Sequence, residues 1–520
     1  MDVKKLLIQQ SERYQTRPML MYKDRQITFP QIRDTAFGLA NHLLKHGISP
    51  DDNIALYLPN IPETLMSFLG VFSLGATVIP FDFMLTQDEI IQFVTHSRTR
   101  ALILQPKKGI DIDQIKKACP TLSHIITLGE ETAEAISWDR IVLQKDTREP
   151  SSPIDPGHLA AIFYTSGSTG HPKGVMLNYA HLDSPMETMD YFLKITDKDI
   201  FVCAGVPFSH IAGVDYILLM LCFASPLVLM ERFQPLEFLH TIERYRGTIF
   251  CIVPAMFVAI LSLKGQEKFD LSSLRWAVVF GAPSSPVLLE RFKKMCPESA
   301  LLNGWGMTET SAPNTYSPND IHKIHSIGGF SPYLQAKIVD AEGNRCAVNA
   351  QGELWVKGKG VMRGYYQEEE LTKEVLTEDG WLKTGDIAYC DKDGLFYIVG
   401  RKKDMIKVAG EIVFSAEVEE KIQRHPKIKE VAVIGMPDAL RGEVPKAFIV
   451  LKENEQLSLQ DLREFLRKFL AHFKVPHHFE FVASLPKNRT GKIDKQALQR
   501  HTTHVTRHTS HDTRQENTSK

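Results

Sequence analysis

Residues 164–177 read YTSGSTGHPKGVML. They directly follow the apolar run 159–163, and the six positions 165–170 hold four Ser or Thr residues and two glycines. A strand that ends in such a loop offers an anion many backbone N–H groups and hydroxyl donors, and glycine lets the main chain approach closely. Lys173 adds a mobile positive charge. The pattern therefore predicts a phosphate-binding loop.

This loop differs from the common nucleotide motifs. A Walker A motif requires G-x-x-x-x-G-K-[ST], whereas here Pro172 precedes Lys173 and Gly174 comes after it. No GxGxxG flanked by a strand and a helix supports a dinucleotide fold. The alternative is a flexible Gly/Ser-rich linker. Phosphate binding is favoured, because a linker rarely abuts a buried strand and ends in Pro-Lys-Gly.

The bulk composition excludes several classes of protein. A chain of 520 residues is too long for one core, so two or more domains are expected. Hydrophobic residues make up 43% of the chain and charged residues 24%, which is ordinary for a folded globular protein. The formal net charge of −1 creates no field that draws nucleic acid, so nucleic acid is not expected as a partner.

Cysteine usage and hydropathy predict a cytoplasmic protein without a transmembrane segment. The seven cysteines are scattered, with no CxxC pair, which indicates free thiols in a reduced compartment. Residues 6–8 are the only apolar run at the N-terminus, too short for a secretory signal. The most apolar segment, 216–230, falls short of the roughly 20 residues of a membrane span and predicts a buried helix followed by a strand. Peripheral membrane contact stays open.

Short β-rich runs alternate with amphipathic helical stretches over the first two thirds of the chain. The runs that read as buried strands include 53–58, 99–104, 248–253 and 276–280. This alternation predicts an α/β fold with layered subdomains and largely parallel sheets. Ligands bind such sheets in loops beyond the carboxyl ends of the strands, which is where the 164–177 stretch lies.

The pattern of predicted secondary structure then changes twice. Strand-like pieces between residues 328 and 400 are separated by glycine and acidic turns, which predicts a β-rich subdomain. After the charge cluster GRKKD comes a small α+β unit. We therefore predict a large N-terminal domain over 1–400, a hinge at 401–403 and a mobile C-terminal domain over 404–500. Residues 501–520 are polar and contain four histidines, which predicts a disordered, solvated tail rather than a metal site.

Residues 164–177 resemble the nucleotide loop of the adenylate-forming superfamily, which includes acyl-CoA synthetases, adenylation domains of non-ribosomal peptide synthetases and beetle luciferases. Further stretches resemble the motifs of this superfamily in the same order, as far as about residue 500. They are PFSHIAG (207–213), FGAP (280–283), NGWGMTE (303–309), GWLKTGD (380–386), GRKKDMIKVAGE (400–411), RGEVPKAF (441–448) and LPKNRTGKID (485–494).

The resemblance implies that the protein activates a carboxylic acid with ATP, Mg²⁺ and coenzyme A. Attack of the carboxylate on the α-phosphate of ATP gives an acyl adenylate and pyrophosphate, and a thiol then displaces AMP. Because two anions meet in the first step, the site has to supply cations and hydrogen-bond donors aimed at the transition state.

The resemblance also implies a set of nucleotide-binding residues. They are Thr165, Ser166, Gly167, Ser168, Thr169, Gly170, Lys173, Gly281, Ala282, Pro283, Asn303, Gly304, Trp305 and Gly306. Trp305 would pack on the adenine region and Thr308 would contact the α-phosphate. Glu309, together with Thr165, would hold Mg²⁺, because hard oxygen ligands suit that ion. Taken alone, a glutamate is usually a solvated charge and a tryptophan is usually part of the core.

Three further residues match nucleotide and catalytic positions of the superfamily. Asp386 would accept hydrogen bonds from the ribose hydroxyls, and Arg401 would add a second ribose or phosphate contact. Lys492 resembles the mobile catalytic lysine, whose ammonium would neutralise charge as the new bond forms. Without the resemblance, these residues would read as a turn aspartate, a solvated arginine and a surface lysine.

The remaining matches concern the second half-reaction. Lys403 falls at the hinge position, where a few residues let the small domain rotate between two steps. Lys407 would lie on the face that arrives in the second state, and Gly410 would line the pantetheine tunnel. His210 would lie between the carboxylate pocket and the thiol route, although a lone loop histidine is often only a satisfied polar group.

Several positions depart from the superfamily pattern. Phe280 replaces a small residue, which predicts an altered wall of the acyl pocket. Ala409 replaces a frequent glycine, and Ile412 and Ser415 stand where asparagine and proline are common. These changes affect the expected shape of the tunnel. None removes a group that adenylation needs.

The class of acyl substrate is predicted from the residues after Phe208. No acid comes directly after it, and Asp215 is expected on the other side of a helix turn, so an α-amino acid is disfavoured. Apolar residues suited to an alkyl chain or an aryl ring are expected to line or back the pocket. They are Val206, Ile211, Val214, Val279 and Phe280.

Residues 404–422 and 441–450 look most like bacterial fatty-acyl-CoA ligases, which favours a medium- or long-chain fatty acid and CoA. An aryl acid is the nearest alternative. An enzyme that loads a carrier protein is a further one, although nothing after residue 500 resembles a carrier domain. A light-emitting oxygenase and a non-catalytic nucleotide sensor are more distant alternatives. A sensor predicts damage at Thr308, Glu309 or Lys492, and all three are intact.

Overall fold

The computed structural model describes residues 1–165, 173–281, 286–438, 440–487 and 492–502. The chain divides into two compact units. The first unit comprises residues 1–284, 288–336 and 356–383, and the second unit comprises 285–287, 337–355 and 384–520. None of the described helices combines the length and the apolar character that crossing a bilayer requires. The predicted domain boundaries at 400–404 and 500 stay predictions.

Strands and helices alternate through most of the described chain. The strands are β1 Pro18–Tyr22, β2 Arg25–Thr28, β3 Asn53–Tyr57, β4 Thr77–Pro80, β5 Ala101–Leu104, β6 His124–Thr127, β7 Ile136–Ser137, β8 Leu159–Thr165, β9 Lys173–Asn178, β10 Phe201–Ala204, β11 Leu227–Met230, β12 Ile249–Ile252, β13 Trp276–Val279, β14 Ala300–Trp305, β15 Thr315–Tyr316, β16 Gly329–Phe330, β17 Leu334–Val339, β18 Gly352–Gly358, β19 Gly364–Tyr365, β20 Leu382–Cys390, β21 Phe396–Arg401, β22 Met405–Val408, β23 Glu411–Phe414, β24 Ile428–Asp438, β25 Gly442–Leu451 and β26 His478–Phe481. The helices are α1 Val3–Arg13, α2 Phe29–Lys45, α3 Pro62–Leu74, α4 Gln87–His96, α5 Ile112–Ala118, α6 Trp138–Leu143, α7 Asp183–Leu193, α8 Ile211–Phe223, α9 Pro235–Tyr245, α10 Pro254–Leu261, α11 Pro286–Met295, α12 Glu369–Val375, α13 Ser415–Gln423 and α14 Leu459–Arg467.

Two large sheets form the framework of the first unit. One has the strand order β19-β9-β8-β4-β3-β5-β6-β7, and the other has the order β16-β15-β14-β13-β12-β10-β11-β1-β2. The central strands of both sheets pair in parallel, as β3 does with β4 and β5, and as β13 does with β12 and β14. These strands are almost wholly apolar and buried, as expected for parallel strands covered on both faces. The predicted α/β fold is confirmed.

The largest apolar cluster of the first unit joins helices with strands of both sheets. Its members include α2, α3, α7 and α8 together with residues of β3, β4, β10 and β11. Helix α8 is buried along almost its whole length, which explains why its sequence is apolar on all sides. The segment 216–230 is therefore a buried helix followed by the strand β11, as predicted.

Local sequence signals fix the ends of several helices. Helix α3 begins with Pro62, where the missing N–H costs nothing. It ends at Leu74 and is followed by Gly75, whose φ of +83° suits glycine. Helix α4 begins with a capping box in which Thr86 accepts from the Glu89 amide and donates its own amide to the Glu89 carboxylate.

The second unit contains a sheet of order β23-β22-β25-β24, with β26 paired to β25. The side chains of β24 alternate between two clusters, because successive residues of a strand point to opposite faces. Val431 and Val433 pack with α13 and α14 on one face. Ala432 and Ile434 pack on the other face with Leu485 and Leu498. Residues 482–498, as far as they are described, thus contribute apolar side chains to this second face of the sheet.

A further sheet has the strand order β17-β18-β20-β21. Strands β20 and β21 form an antiparallel hairpin that pairs Asp386 with Arg401. The chain passes between the two units within β17, β18 and β20. Residues 384–401, which carry two predicted site residues, consequently belong to the second unit.

Candidate active site

The hairpin of β8 and β9 carries the predicted phosphate-binding loop. Thr165 is the last residue of β8 and pairs with Lys173, the first residue of β9. The Thr165 hydroxyl donates to the Lys173 carbonyl oxygen at 3.5 Å. The predicted loop residues between them lie outside the described residues. They are Ser166, Gly167, Ser168, Thr169 and Gly170.

Glu309 lies in a short 3₁₀ turn, Thr308–Thr310, a few residues after β14. One of its carboxylate oxygens accepts a hydrogen bond from the Tyr365 hydroxyl at 3.0 Å. Its backbone carbonyl accepts from the Met362 amide at 2.9 Å. The predicted metal-binding acid is therefore fixed at both its side chain and its main chain by residues that precede or form β19.

Tyr365 connects Glu309 to Lys173. Strand β19 pairs antiparallel with β9, so that Tyr365 lies opposite Val175. The Lys173 ammonium lies 5.2 Å from the centre of the Tyr365 ring, within the range of a cation–π contact. The structure thus brings the predicted cation and the predicted acid together on one tyrosine. The sequence prediction did not include Tyr365, and its only signal is the pair of aromatic residues after Gly364.

The NGWG segment is held by close packing. Asn303 is 9% exposed and donates from its side chain to the Ser326 carbonyl oxygen at 3.1 Å. A Cβ on Gly304 would lie 2.7 Å from the ring of Phe280, and one on Gly306 would lie 2.6 Å from the Ala312 Cβ. Glycine is therefore required at both positions because a neighbour occupies the space that a side chain would need.

Strand pairing also brings the FGAP segment beside NGWG. Val279, at the end of β13, pairs with Asn303 of β14, and Gly281 comes two residues later with a φ of +86° that favours glycine. Ala282 and Pro283 lie outside the described residues. Trp305 is 8% exposed, with its ring 5.8 Å from that of Phe330, so most of the indole is covered by protein.

The PFSHIAG segment leads into helix α8. His210 is half-buried and precedes the first residue of the helix in an extended conformation. Gly213 permits a close approach, because a Cβ there would lie 2.2 Å from the Pro207 carbonyl oxygen. The loop is further held by Asn60, which donates to the Val206 carbonyl oxygen at 2.7 Å and accepts from the Phe208 amide at 3.0 Å. Asn60 was not among the predicted residues.

Apolar residues near this helix are closely packed. Ile211, Val214, Val206 and Phe280 belong to or pack against the largest cluster of the first unit. Val279 belongs to a different cluster, because neighbouring residues of β13 point to opposite sides of the sheet. The predicted pocket residues therefore do not share one face.

Asp215 is the one acid within the buried helix α8. It is 4% exposed, and its Oδ1 atom has no hydrogen-bond partner in the described part of the chain. Burial raises the pKa of the Asp215 carboxyl well above its usual range. Burial, and then the Asp215 carboxylate, also raise the pKa of the Cys251 thiol to about 12. Asp215 thus lies inside the protein, close to the end of β12.

Three predicted residues meet in the second unit. The Arg401 Nε atom lies 2.6 Å from Asp386 Oδ1, and Asp386 is 2% exposed. Desolvation at the ammonium lowers the pKa of Lys492, although the residue as a whole is exposed. Arg401 adds to this lowering of the Lys492 pKa and Asp386 opposes it. Asp386, Arg401 and Lys492 are therefore electrostatic neighbours.

Lys403, Lys407 and Gly410 are exposed and lie close together in sequence. Lys403 is in a 3₁₀ turn, and the Lys407 amide donates to the Glu443 carboxylate at 2.9 Å. Ala409 and Gly410 form the two-residue turn between β22 and β23, with φ values of +50° and +92°. Positive φ at both positions is typical of a type I′ hairpin turn.

Ser415, which stands where the superfamily often has proline, takes part in a polar network. Its hydroxyl accepts a hydrogen bond from the Lys495 ammonium at 2.8 Å, a contact that proline could not make. Lys495 also lies 2.7 Å from Glu419 of α13, and Glu419 accepts from the Val433 amide at 2.7 Å. This network anchors the segment after Lys492.

Comparison with known proteins defines the class of this one. The sequence profile of the AMP-binding enzymes matches residues 7–366, and that of the AMP-binding enzyme C-terminal domain matches residues 417–492. The chain therefore belongs to the AMP-binding enzyme family.

Its relatives include CoA ligases with different substrates. The chain is 32% identical over 525 residues to the long-chain-fatty-acid–CoA ligase of Bacillus subtilis (strain 168), covering 95% of this chain and 93% of that protein. It is 31% identical over 507 residues to the 4-coumarate–CoA ligase of Vanilla planifolia, covering 94% and 91%. The crystal structure of the anthranilate CoA ligase AuaEII in complex with anthranoyl-AMP matches with a TM-score of 0.88 and 26% identity, covering 96% of this chain and 97% of that one.

The protein is thus an adenylate-forming acid–thiol ligase of the acyl-CoA synthetase type. The predicted family, fold class and enzyme class are confirmed. The roles of the individual site residues, the binding of Mg²⁺ and the identity of the acyl substrate stay predictions.

Proposed function

We propose that this protein converts a medium- or long-chain fatty acid to its CoA thioester through an acyl adenylate, with release of pyrophosphate and then AMP. The observation that carries the proposal is that Tyr365 contacts both Lys173, through its ring, and Glu309, through its hydroxyl. A cation and a hard carboxylate thereby both contact one tyrosine, which pairs with β9 through β19. Such a pair suits a triphosphate and the metal ion that accompanies it.

The chain supplies the groups that adenylation needs. Lys173 would bind phosphate oxygens, and Glu309 with Thr165 would hold Mg²⁺, whose charge offsets that of the phosphates. The donor set fits this ion, because both residues offer oxygen atoms and Glu309 is already oriented by its hydrogen bond from Tyr365. In the second unit, the Asp386 carboxylate would accept hydrogen bonds from the ribose hydroxyls. Arg401 would fix the orientation of this carboxylate through their ion pair. Lys492 would bring positive charge to the carboxylate and the α-phosphate.

The fatty-acid substrate is supported by two observations. Helix α8, which starts next to His210, is apolar and contributes Ile211 and Val214 to the largest cluster. The long-chain-fatty-acid–CoA ligase of Bacillus subtilis is similar over 95% of the chain. Each buried CH₂ of an acyl chain contributes about 0.8 kcal/mol to binding, so a longer acid gains affinity until the pocket ends.

An aryl acid is the second candidate. The 4-coumarate–CoA ligase of Vanilla planifolia is 31% identical, and the structural match carries an anthranoyl adenylate. Phe280 lies against Gly304 and could stack on a ring instead of bordering an alkyl chain. A comparison of alkyl and aryl acids separates the two candidates directly.

The test is a pyrophosphate-release assay with octanoate, laurate, palmitate, 4-coumarate, anthranilate and phenylalanine, each with and without CoA. We expect release with the fatty acids, and multiple turnovers of AMP formation only when CoA is present. Release confined to the aromatic acids would contradict the proposed substrate. A holo-acyl carrier protein in place of CoA tests the acceptor, and faster AMP formation with the carrier would contradict CoA.

We also propose that the enzyme works in a reducing compartment such as the cytoplasm. The seven cysteines all carry free thiols, and three of them are buried. Such thiols persist where glutathione and thioredoxin keep proteins reduced.

A further inference from the structure

Three histidines of the first unit lie together, outside every motif of the acyl-CoA synthetase reaction. His42 and His46 are one turn apart at the C-terminal end of α2, and His124 is the first residue of β6. One ring nitrogen from each lies within 4.8 Å of the other two. We call these residues the three-histidine cluster.

Two of the ring nitrogens face each other directly. The Nε2 atoms of His42 and His124 are 2.9 Å apart. The His46 Nδ1 atom lies 2.7 Å from the His42 carbonyl oxygen, a contact in which Nδ1–H donates. A proton held on Nδ1 leaves the lone pair on Nε2, which is the tautomer that binds a metal. The backbone therefore pre-sets His46 as an Nε2 ligand.

The cluster is partly enclosed. His42 is 3% exposed, and its Nδ1 atom is buried without a hydrogen-bond partner in the described part of the chain. His124 is half-buried and His46 is exposed at the surface. The ring centres lie 4.1 to 5.0 Å apart, with the His46 and His124 rings stacked and the other two pairs tilted. An ion can therefore enter from the His46 side and be bound against the wall formed by His42.

We propose that His42, His46 and His124 form a binding site for a divalent ion of the late first transition row, with Zn²⁺ as the representative. Zn²⁺ binds imidazole nitrogen at about 2.0–2.1 Å, which places tetrahedral ligand atoms about 3.3 Å apart. To reach that spacing, the His42 and His124 Nε2 atoms, now 2.9 Å apart, have to separate slightly, and the exposed His46 ring has to rotate toward them. Three protein ligands leave one position for water.

The donor atoms of the cluster favour this class of metal over others. Lys45 and Arg140 near His42, and Lys116 near His124, repel every cation alike, so the selection depends on the ligand atoms. Hard cations such as Mg²⁺ and Ca²⁺ need carboxylate and carbonyl oxygens, which imidazole rings do not offer. Neutral imidazoles bind Zn²⁺, Cu²⁺ and Ni²⁺ through strong nitrogen bonds. The site is accordingly distinct in chemistry from the predicted Mg²⁺ site at Glu309.

A bound ion would join the end of α2 to β6 of the eight-stranded sheet. Because it binds the folded state, it would raise the melting temperature in proportion to the logarithm of its concentration above the dissociation constant. The effect concerns the stability of the first unit and not the transfer of the adenylate.

The experiment starts from a full-length parent in which the four tail histidines are removed by His501→Gln, His504→Gln, His508→Gln and His511→Gln. Calorimetric titration with ZnCl₂ is expected to show one ion per chain. His46→Gln and His124→Gln should each weaken binding at least tenfold and abolish the Zn²⁺-dependent rise in melting temperature. His322→Gln, at an exposed histidine elsewhere, is the control and should leave both unchanged.

A second measurement reports the geometry. Co²⁺ in place of Zn²⁺ should give the intense visible d–d absorption of a four-coordinate site in the parent, and this absorption should be lost in His46→Gln. No stoichiometric binding by the parent, or weakening in only one of the two variants, would overturn the three-ligand site. Because His46 is exposed, its replacement tests the site without the risk of unfolding that the buried His42 carries.

Discussion

Tyr365 holds the predicted acid of the nucleotide site, because its hydroxyl donates to Glu309 while its ring lies beside Lys173. Tyr365→Phe removes the hydrogen bond and keeps the ring. A hydrogen bond to a charged group contributes roughly 1.5–3 kcal/mol, so we expect kcat/KM for ATP to fall by roughly 10- to 100-fold. Pyrophosphate release measured over a series of Mg²⁺ concentrations should show that the variant needs more Mg²⁺.

The neighbouring Tyr366 offers a matched control for this prediction. Tyr366→Phe removes the same atom from the same segment, and it is the Tyr365 hydroxyl, not that of Tyr366, that bonds Glu309 in the described part of the chain. Equal activity of the two variants would show that the Tyr365 hydroxyl does not position the acid.

Asp215 should make the stability of the folded state depend on pH. Its folded pKa is raised, so the folded state keeps a proton that the unfolded chain loses above about pH 4. Its contribution to stability is therefore full below that pH and is lost as the pH rises toward the folded pKa. Asp215→Asn keeps the shape and removes the titration. At pH 8 the variant should be more stable by roughly 1–3 kcal/mol, and near pH 4 the difference should vanish.

Chemical unfolding of the first unit at several pH values measures this effect. Asp190→Asn, at an exposed acid of α7, is the control. Parallel pH profiles for Asp215→Asn and the unaltered chain would contradict the buried, protonated state of this residue.

At the scale of elements, the turn between β22 and β23 contains an identifiable strain. Ala409 has a φ of +50°, a region in which a residue with a Cβ is disfavoured by roughly 1–2 kcal/mol. Ala409→Gly relieves this strain but increases the conformational entropy of the unfolded chain, which offsets part of the gain. The net expectation is a stabilisation of about 0.5–1 kcal/mol for the hairpin, detected as slower amide hydrogen exchange in β22 and β23.

The next residue provides the opposite change in the same turn. Gly410 has a φ of +92°, and a Cβ added there would have no neighbour within 4 Å, so Gly410→Ala tests backbone strain alone. It should accelerate exchange in both strands. Effects of the same sign in the two variants would contradict a type I′ turn at this site.

Elements with a local signature could be predicted from the sequence. The α8–β11 segment is one example, because a buried helix and a following strand are both visible as apolar runs separated by Ser225 and Pro226. The two-residue strand β19 is too short to show any period, and its pairing with β9 joins distant parts of the chain. For this reason Lys173 and Glu309 could be predicted while Tyr365 could not.

Asn60 was missed for a related reason. A lone asparagine between Pro59 and Ile61 reads as a turn residue, and nothing local indicates that it binds the loop before His210. Burial of that polar side chain depends on tertiary packing between the end of β3 and the PFSHIAG segment. Family motifs predicted the site residues themselves, whereas the hydrogen bonds that orient them came only from the fold.

At the scale of the whole molecule, the predicted site residues are distributed over two units. Lys173, His210 and Glu309 belong to the first unit, and Asp386, Arg401 and Lys492 belong to the second. Under the proposed function, adenylation needs groups from both units. If Lys492 serves only adenylate formation, replacing this one residue should impair adenylate formation and leave thioester formation intact.

Lys492→Ala should lower the rate of adenylate formation by roughly 10²- to 10³-fold, the usual cost of removing a group that stabilises transition-state charge. Thioester formation from supplied acyl adenylate and CoA should be largely retained, because no new bond to phosphate forms in that step. Single-turnover measurements of the two half-reactions make the comparison. Lys487→Ala, at a nearby lysine that is paired with Glu430, is the control.

The lowered pKa of Lys492 adds a pH dependence to this prediction. The charged form is lost as the pH rises through a pKa below the usual lysine value, so adenylation by the unaltered enzyme should decline on the alkaline side. Lys492→Arg keeps its charge at every accessible pH. It should recover part of the adenylation rate with the alkaline decline removed. Equal loss of both half-reactions in Lys492→Ala, or an unchanged alkaline decline in Lys492→Arg, would refute the assignment of this lysine to the adenylation step.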